Sequence, residues 1–103
     1  MIIEMVMFDR PPGFTDADLL DDARSTVAHW QANPDLLRKQ FLKGEGEVVG
    51  LYLWPDRAAA ERAHDAAWVE RFRTRTGVEP RMRYFEMFME IDNAAGEVRE
   101  YPQ

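Results

Sequence analysis

Ile2-Ile3-Glu4-Met5-Val6-Met7-Phe8 opens the chain as a strand that is apolar on both faces. Ile3, Met5 and Met7 alternate with Ile2, Val6 and Phe8, and Glu4 is the one charge among them. A strand with one wet face in an antiparallel sheet would alternate apolar with polar residues. Three further stretches, 36–43, 48–54 and 82–91, repeat the two-sided pattern. A chain of 103 residues has helices enough for only one sheet face. The other face needs a second cover, and a partner subunit is the simplest one.

The segments between the strands fix the fold class. Arg10-Pro11-Pro12-Gly13 is a turn signal. Thr15 then reads as an N-cap, with Asp16 and Asp18 in the positive first turn of a helix. Leu20, Ala23, Val27 and Trp30 form one apolar stripe along that helix, which Asn33-Pro34 ends. Gly44-Glu45-Gly46 joins strands two and three as a hairpin. Asp56 caps a helix over 57–64, whose alanines allow close approach to a sheet. Asp65 caps a second helical piece over 66–76, stopped by Gly77, with Trp68 and Phe72 as its inward anchors.

The order is therefore β-α-β-β-α-β, the ferredoxin-like α+β pattern. Residues 1–92 form one domain, and 93–103 are expected to be a polar tail lying along a neighbour. Aligning the apolar sets puts Ile3, Met5, Met7, Leu51, Phe85 and Met87 under the helices. It leaves Glu4, Val6, Tyr52, Trp54, Tyr84 and Glu86 on the bare face. Strand two is ambiguous, since Leu36 and Leu42 compete with Leu37 and Phe41 for the inner side.

A net charge of −6 argues against nucleic acid as a partner. No apolar run approaches the roughly 18 residues of a membrane span. The chain contains no cysteine, which excludes thiolate chemistry and makes a cytoplasmic location the expectation. Only His29 and His64 offer imidazole. Residues 70–83 hold five arginines against two glutamates. Such a run either solvates the surface near a helix C-terminus or forms a basic rim that attracts an anionic, phenolate-like ligand.

Three stretches together carry a family resemblance: Leu36-Leu37-Arg38-Lys39-Gln40-Phe41, then Val49-Gly50-Leu51-Tyr52-Leu53-Trp54-Pro55-Asp56-Arg57-Ala58-Ala59-Ala60, then Arg83-Tyr84-Phe85-Glu86-Met87-Phe88. They resemble the small monooxygenases of the dimeric α/β-barrel superfamily, which includes antibiotic-biosynthesis monooxygenases. The resemblance implies a homodimer whose two sheets form a barrel-like core, with a ligand pocket in each subunit between helices and sheet. It also implies oxygenation of a phenolic, quinol or polyketide-like aromatic small molecule without metal, flavin or other prosthetic group. The substrate itself would activate oxygen. A tryptophan on the second helical segment holds substrate in such enzymes, and Trp68 is the matching position. A non-oxidative binding protein or an isomerase/cyclase on the same scaffold is the alternative.

Among candidate catalytic groups, His64 stands four residues before Trp68, so a continuous helix would set both on one face. An imidazole there is suited to taking the proton of an acidic phenol at neutral pH. A favourable cap at a helix C-terminus is the plainer role for it. Met5 and Met87, with Trp30, Trp68 and Phe72, would line a deformable aromatic pocket. Core filling explains the same methionines. Glu4 and Glu86 fall on adjacent strands, where a polar network with Lys39, Arg83, Tyr52 and Tyr84 would fix subunit register.

Overall fold

β1 (Ile2–Asp9) is the strand on which the sheet is built, and its register explains most of the architecture. A computed structural model describes residues 1–102. β1 pairs antiparallel with β3 (Glu47–Trp54) on one side and β4 (Arg81–Glu86) on the other. β2 (Arg38–Lys43) pairs with β3, giving the strand order β2-β3-β1-β4. That is the ferredoxin-like order, with the two βαβ halves interleaved. Among the described residues, no helix is long and apolar enough to cross a membrane.

The helices begin where the sequence provides caps. Thr15 accepts from the Asp18 amide at 3.2 Å while the Asp18 carboxylate accepts from the Thr15 amide at 2.9 Å. This reciprocal pair opens α1 (Asp16–Ser25). The expected single helix is broken at Thr26, and α2 (Val27–Gln31) follows. Ser25 and Thr26 explain the break, because their hydroxyls donate to the carbonyls of Asp22 and Ala23 at 2.6 and 2.7 Å. Asp56 caps α3 (Arg57–Ala63), and Asp65 caps α4 (Ala66–Thr76). Gly77, in the left-handed region at φ 74°, ends α4. Ala59 and Ala60 are buried at 2% and 0% exposure, where α3 approaches the sheet.

The helices cover the opposite face from the one the residue pattern suggested. Ile2, Glu4, Val6, Tyr52 and Trp54 are buried, together with Trp30, Trp68 and Phe72 from the helices. Ile3, Met5, Met7, Val49, Leu51 and Leu53 occupy the other face, half-buried. The register leaves no ambiguity, since Glu4 stands opposite Tyr52 and Tyr84, and Met5 opposite Leu51 and Arg83. In β2, Lys39 and Phe41 pair with Tyr52 and Gly50, which places them on the helix side.

Strand four is also shorter than expected. β4 ends at Glu86 because its partner β1 begins at Ile2, so the ladder runs out. After a bond from the Met87 amide to the Met1 carbonyl at 2.9 Å, the chain forms a separate hairpin. Its strands are β5 (Met89–Asp92) and β6 (Glu97–Glu100). The segment expected as a plain polar tail thus contains one arm of a hairpin. Arg99 ties it together through Glu90 at 2.8 Å, Asp92 and Glu97.

Candidate functional site

α1 contributes no buried residue, although it carries the apolar stripe expected of a packed helix. It stands off the sheet, and the space beneath it is a cavity of about 750 Å³. Ion pairs hold α1 by its rim: Lys43 to Asp16 at 2.7 Å from β2, and Arg75 to Asp22 at 3.0 Å from α4. The cavity floor is Val6 and Phe8 of β1 with Gly50 and Tyr52 of β3. Trp30 closes one end, while Trp68 and Phe72 of α4 form a wall. These two rings stack with centroids 5.1 Å apart and planes 22° apart. Aromatic walls with few polar groups, at this volume, are the usual make-up of a small-molecule site.

Lys39 is the reactive-looking group in this space. Its amine lies 4.5 Å from the ring centre of Trp30 and 4.2 Å from those of Phe41 and Tyr52. It donates to the Tyr52 hydroxyl at 2.6 Å, and no carboxylate lies within ion-pair distance among the described residues. Burial, reinforced by the positive charge of Arg75, lowers its pKa to about 7. Burial and the charge of Glu4 push Tyr52 upward, so its phenol keeps its proton. The site therefore sets an amine able to accept a proton beside a phenol that stays protonated and can donate a hydrogen bond. Gly50 makes room for this pair: a Cβ there would stand 2.8 Å from Tyr52 Cε1.

A second polar group lies behind the aromatic wall. Glu4 accepts from the Trp54 indole at 2.8 Å. His64 Nδ1 lies 2.8 Å from the same Glu4 oxygen, and both side chains are fully buried. The contact is close without being an aligned hydrogen bond, and neither imidazole nitrogen has a hydrogen-bond partner among the described residues. His64 packs edge-on to Trp68 and Tyr52, with ring centres 4.4 and 4.7 Å apart, and tilted against Trp30 at 5.3 Å. Tyr84, under the guanidinium of Arg57 at 4.1 Å, has its hydroxyl pushed up to about 12 by burial and by Glu4.

The residues expected at a site divide into three groups. Trp30, Trp68 and Phe72 meet in the cavity wall. His64 touches two of them from behind and does not reach the cavity. The break at Asp65 sets it at the C-cap of α3, with φ −113° and ψ 51°, yet its ring turns inward. Met5 and Met87 are not in the cavity: Met5 points from the opposite sheet face, and Met87 follows the end of β4. Glu4, expected to govern subunit register, belongs to the helix-covered core instead.

Lys39, Tyr52 and Gly50 also line the cavity and were not among the expected pocket residues. The signal for them was present in the β2–β3 hairpin, where a lysine inside an apolar strand stands across from a tyrosine. The arginine-rich run splits as well. Arg71 and Arg75 line the cavity, whereas Arg73 pairs with Glu70 and Glu79, and Arg81 with Asp9 and Glu47. Among the described residues, no three His, Asp or Glu side chains converge as a metal site.

No family profile and no curated protein matches the chain by sequence. Solved structures do match. An antibiotic biosynthesis monooxygenase superposes with a TM-score of 0.61 at 16% identity, over 82% of this chain and 97% of that one. SnoaB, a cofactor-independent oxygenase from Streptomyces nogalater, gives 0.61 at 16% identity, over 84% and 92% of the two chains. Rv0793 from Mycobacterium tuberculosis gives 0.64 at 11% identity, over 89% and 100%. The chain thus has the fold of the antibiotic-biosynthesis monooxygenases.

Proposed function

We propose that the chain is a cofactor-independent monooxygenase acting on a phenolic, quinol or polyketide-like aromatic molecule held between α1, α4 and the sheet. The observation that carries this reading is the Lys39 amine, enclosed by three aromatic rings and bonded to Tyr52 at 2.6 Å. A planar substrate stacked on Trp68 and Phe72 presents its hydroxyl to Lys39, whose neutral form takes the proton. The resulting electron-rich anion reduces oxygen directly. One oxygen atom enters the substrate, and the other leaves as water with the two hydrogens removed. The fold shared with a cofactor-independent oxygenase supports the reading.

In this reading His64 is a positioning residue, since it reaches the substrate only through Trp68 and Trp30. The Lys39–Tyr52 pair would equally serve an isomerase or cyclase, which moves protons without consuming oxygen. Oxygen uptake with a panel of hydroxylated aromatics separates the two readings: uptake supports the oxygenase, and turnover without uptake supports the isomerase.

On the same reading the chain is a homodimer. The uncovered sheet face carries Ile3, Met5, Met7, Leu51, Leu53 and Phe85, and an aliphatic surface of that extent is suited to burial against its own copy.

A further inference from the structure

We propose that Lys39 is a carbonyl-reactive lysine, capturing an aromatic aldehyde or ketone in the cavity as a covalent imine with the Tyr52 hydroxyl as a proton relay. This activity is separate from oxygen reduction and does not rest on the oxygenase reading. It rests on four features of the site.

The nucleophile is not held by a carboxylate. Lys43, the other lysine of the chain, pairs with Asp16 at 2.7 Å, whereas Lys39 faces rings and a phenol. The amine is available as a free base near neutral pH, because burial and Arg75 lower its pKa to about 7. A proton relay stands in place, since the Tyr52 hydroxyl is 2.6 Å away and stays protonated. Space exists for a ring system beside them, walled by Trp68 and Phe72. A lysine desolvated beside another cation is a general route to an activated amine.

The step balances without an oxidant or reductant. The Lys39 lone pair forms the C–N bond as the carbonyl π bond opens, while the Tyr52 hydroxyl hydrogen-bonds the oxygen. A proton passes from the nitrogen through the Tyr52 hydroxyl to the oxygen, giving the neutral carbinolamine. A second proton follows the same relay from the nitrogen to the hydroxyl as the C–O bond breaks and water leaves. The net change is loss of one water.

The pH dependence involves several charged neighbours. Arg75 of α4 opposes protonation of Lys39, while Glu4 of β1 and Asp22 of α1 favour it, the latter while paired to Arg75. His64 lies behind the Tyr52 ring, and His29 lies beside Trp30 on α2.

The test is reductive trapping of 2-naphthaldehyde with cyanoborohydride on the full chain, followed by intact mass and peptide mapping. The expected result is one adduct at Lys39, formed at least about tenfold faster than at Lys43 or the amino terminus. Its rate should reach half-maximum near pH 7, the value set by the Lys39 environment. Tyr52→Phe should slow trapping while leaving Lys39 the labelled site, and Lys39→Met should abolish the adduct. Mapping of the unaltered protein decides the matter even if a variant fails to fold. Comparable labelling of Lys39, Lys43 and the amino terminus, or a Lys39 half-maximum near pH 10, would overturn the proposal. Failure here would leave the oxygen-uptake test untouched, because a lysine base needs no covalent bond.

Discussion

His64 and Glu4 meet at 2.8 Å inside the core, and no part of either side chain reaches solvent. Glu4 also accepts from the Trp54 indole, so one carboxylate serves two partners. Glu4→Ala leaves the indole unpaired and the imidazole facing an empty site. The expected loss is about 1–3 kcal/mol by urea denaturation, the cost of leaving a buried donor unsatisfied. Glu4→Gln keeps an acceptor for Trp54 and should cost clearly less. Equal losses for the two variants would show that the indole bond adds nothing beyond the carboxylate charge.

Lys39 should make stability depend on pH in an unusual direction for a surface-type residue. Its pKa falls from 10.5 in the unfolded chain to about 7 in the folded one. Between those values the unfolded state binds the proton and the folded state does not. Lys39 therefore destabilises the fold progressively as pH drops from 10.5 towards 7, with no further change below. Lys39→Met should be more stable than the parent at pH 7, by on the order of 1–2 kcal/mol after the lost Tyr52 bond is counted, and the gain should vanish near pH 10.5. Denaturant midpoints across this range supply the check. Arg75→Gln should narrow the window by letting Lys39 keep its proton to higher pH.

Gly50 lies under the Tyr52 ring, and the space it leaves is specific. An added Cβ would sit 2.8 Å from Cε1 and 3.2 Å from the hydroxyl of Tyr52. Gly50→Ala should displace that ring, break the bond to Lys39 and destabilise the fold by about 1–3 kcal/mol. A reduced rate of Lys39 labelling, read beside the denaturation curve, distinguishes displacement of the pair from a general loss of packing.

The uncovered sheet face gives a direct expectation for assembly. Leu51 sits on the central strand β3, opposite Met5 and Gln40. In sedimentation at micromolar concentration the parent chain should run as a dimer and Leu51→Asp as a folded monomer. A monomeric parent would remove the dimer from the account.

The order of elements was legible because it depends on local chemistry. Thr15, Asp56 and Asp65 cap helices, and Gly77 ends one, through hydrogen bonds and backbone freedom that a few neighbouring residues determine. The orientation of the sheet was not legible from hydrophobicity. Ile3, Met5, Met7, Leu51 and Leu53 form the greasier row, and the greasier row was expected under the helices. The helices instead cover Glu4, Tyr52 and Trp54, a polar and aromatic set tied in by the Trp54–Glu4 and Lys39–Tyr52 bonds. A face that lines a cavity is where sequence patterning and core composition part company. Met5 was misplaced for that reason. Trp30, Trp68 and Phe72 face inward, because their helical spacing is independent of which sheet face they meet. The end of β4 depended on the length of β1, a non-local fact that no window around Met87 contains.

The most direct test of the central claim is oxygen consumption by the purified chain with hydroxylated polycyclic aromatics, comparing the parent with folded Lys39→Met. The account predicts uptake by the parent without added cofactor, and a fall of about 10²-fold or more in the variant, the usual contribution of a positioned base. Uptake that is undiminished in Lys39→Met would contradict the assignment of Lys39 as the reacting base. Turnover of the same compounds without oxygen consumption would contradict the oxygenase itself.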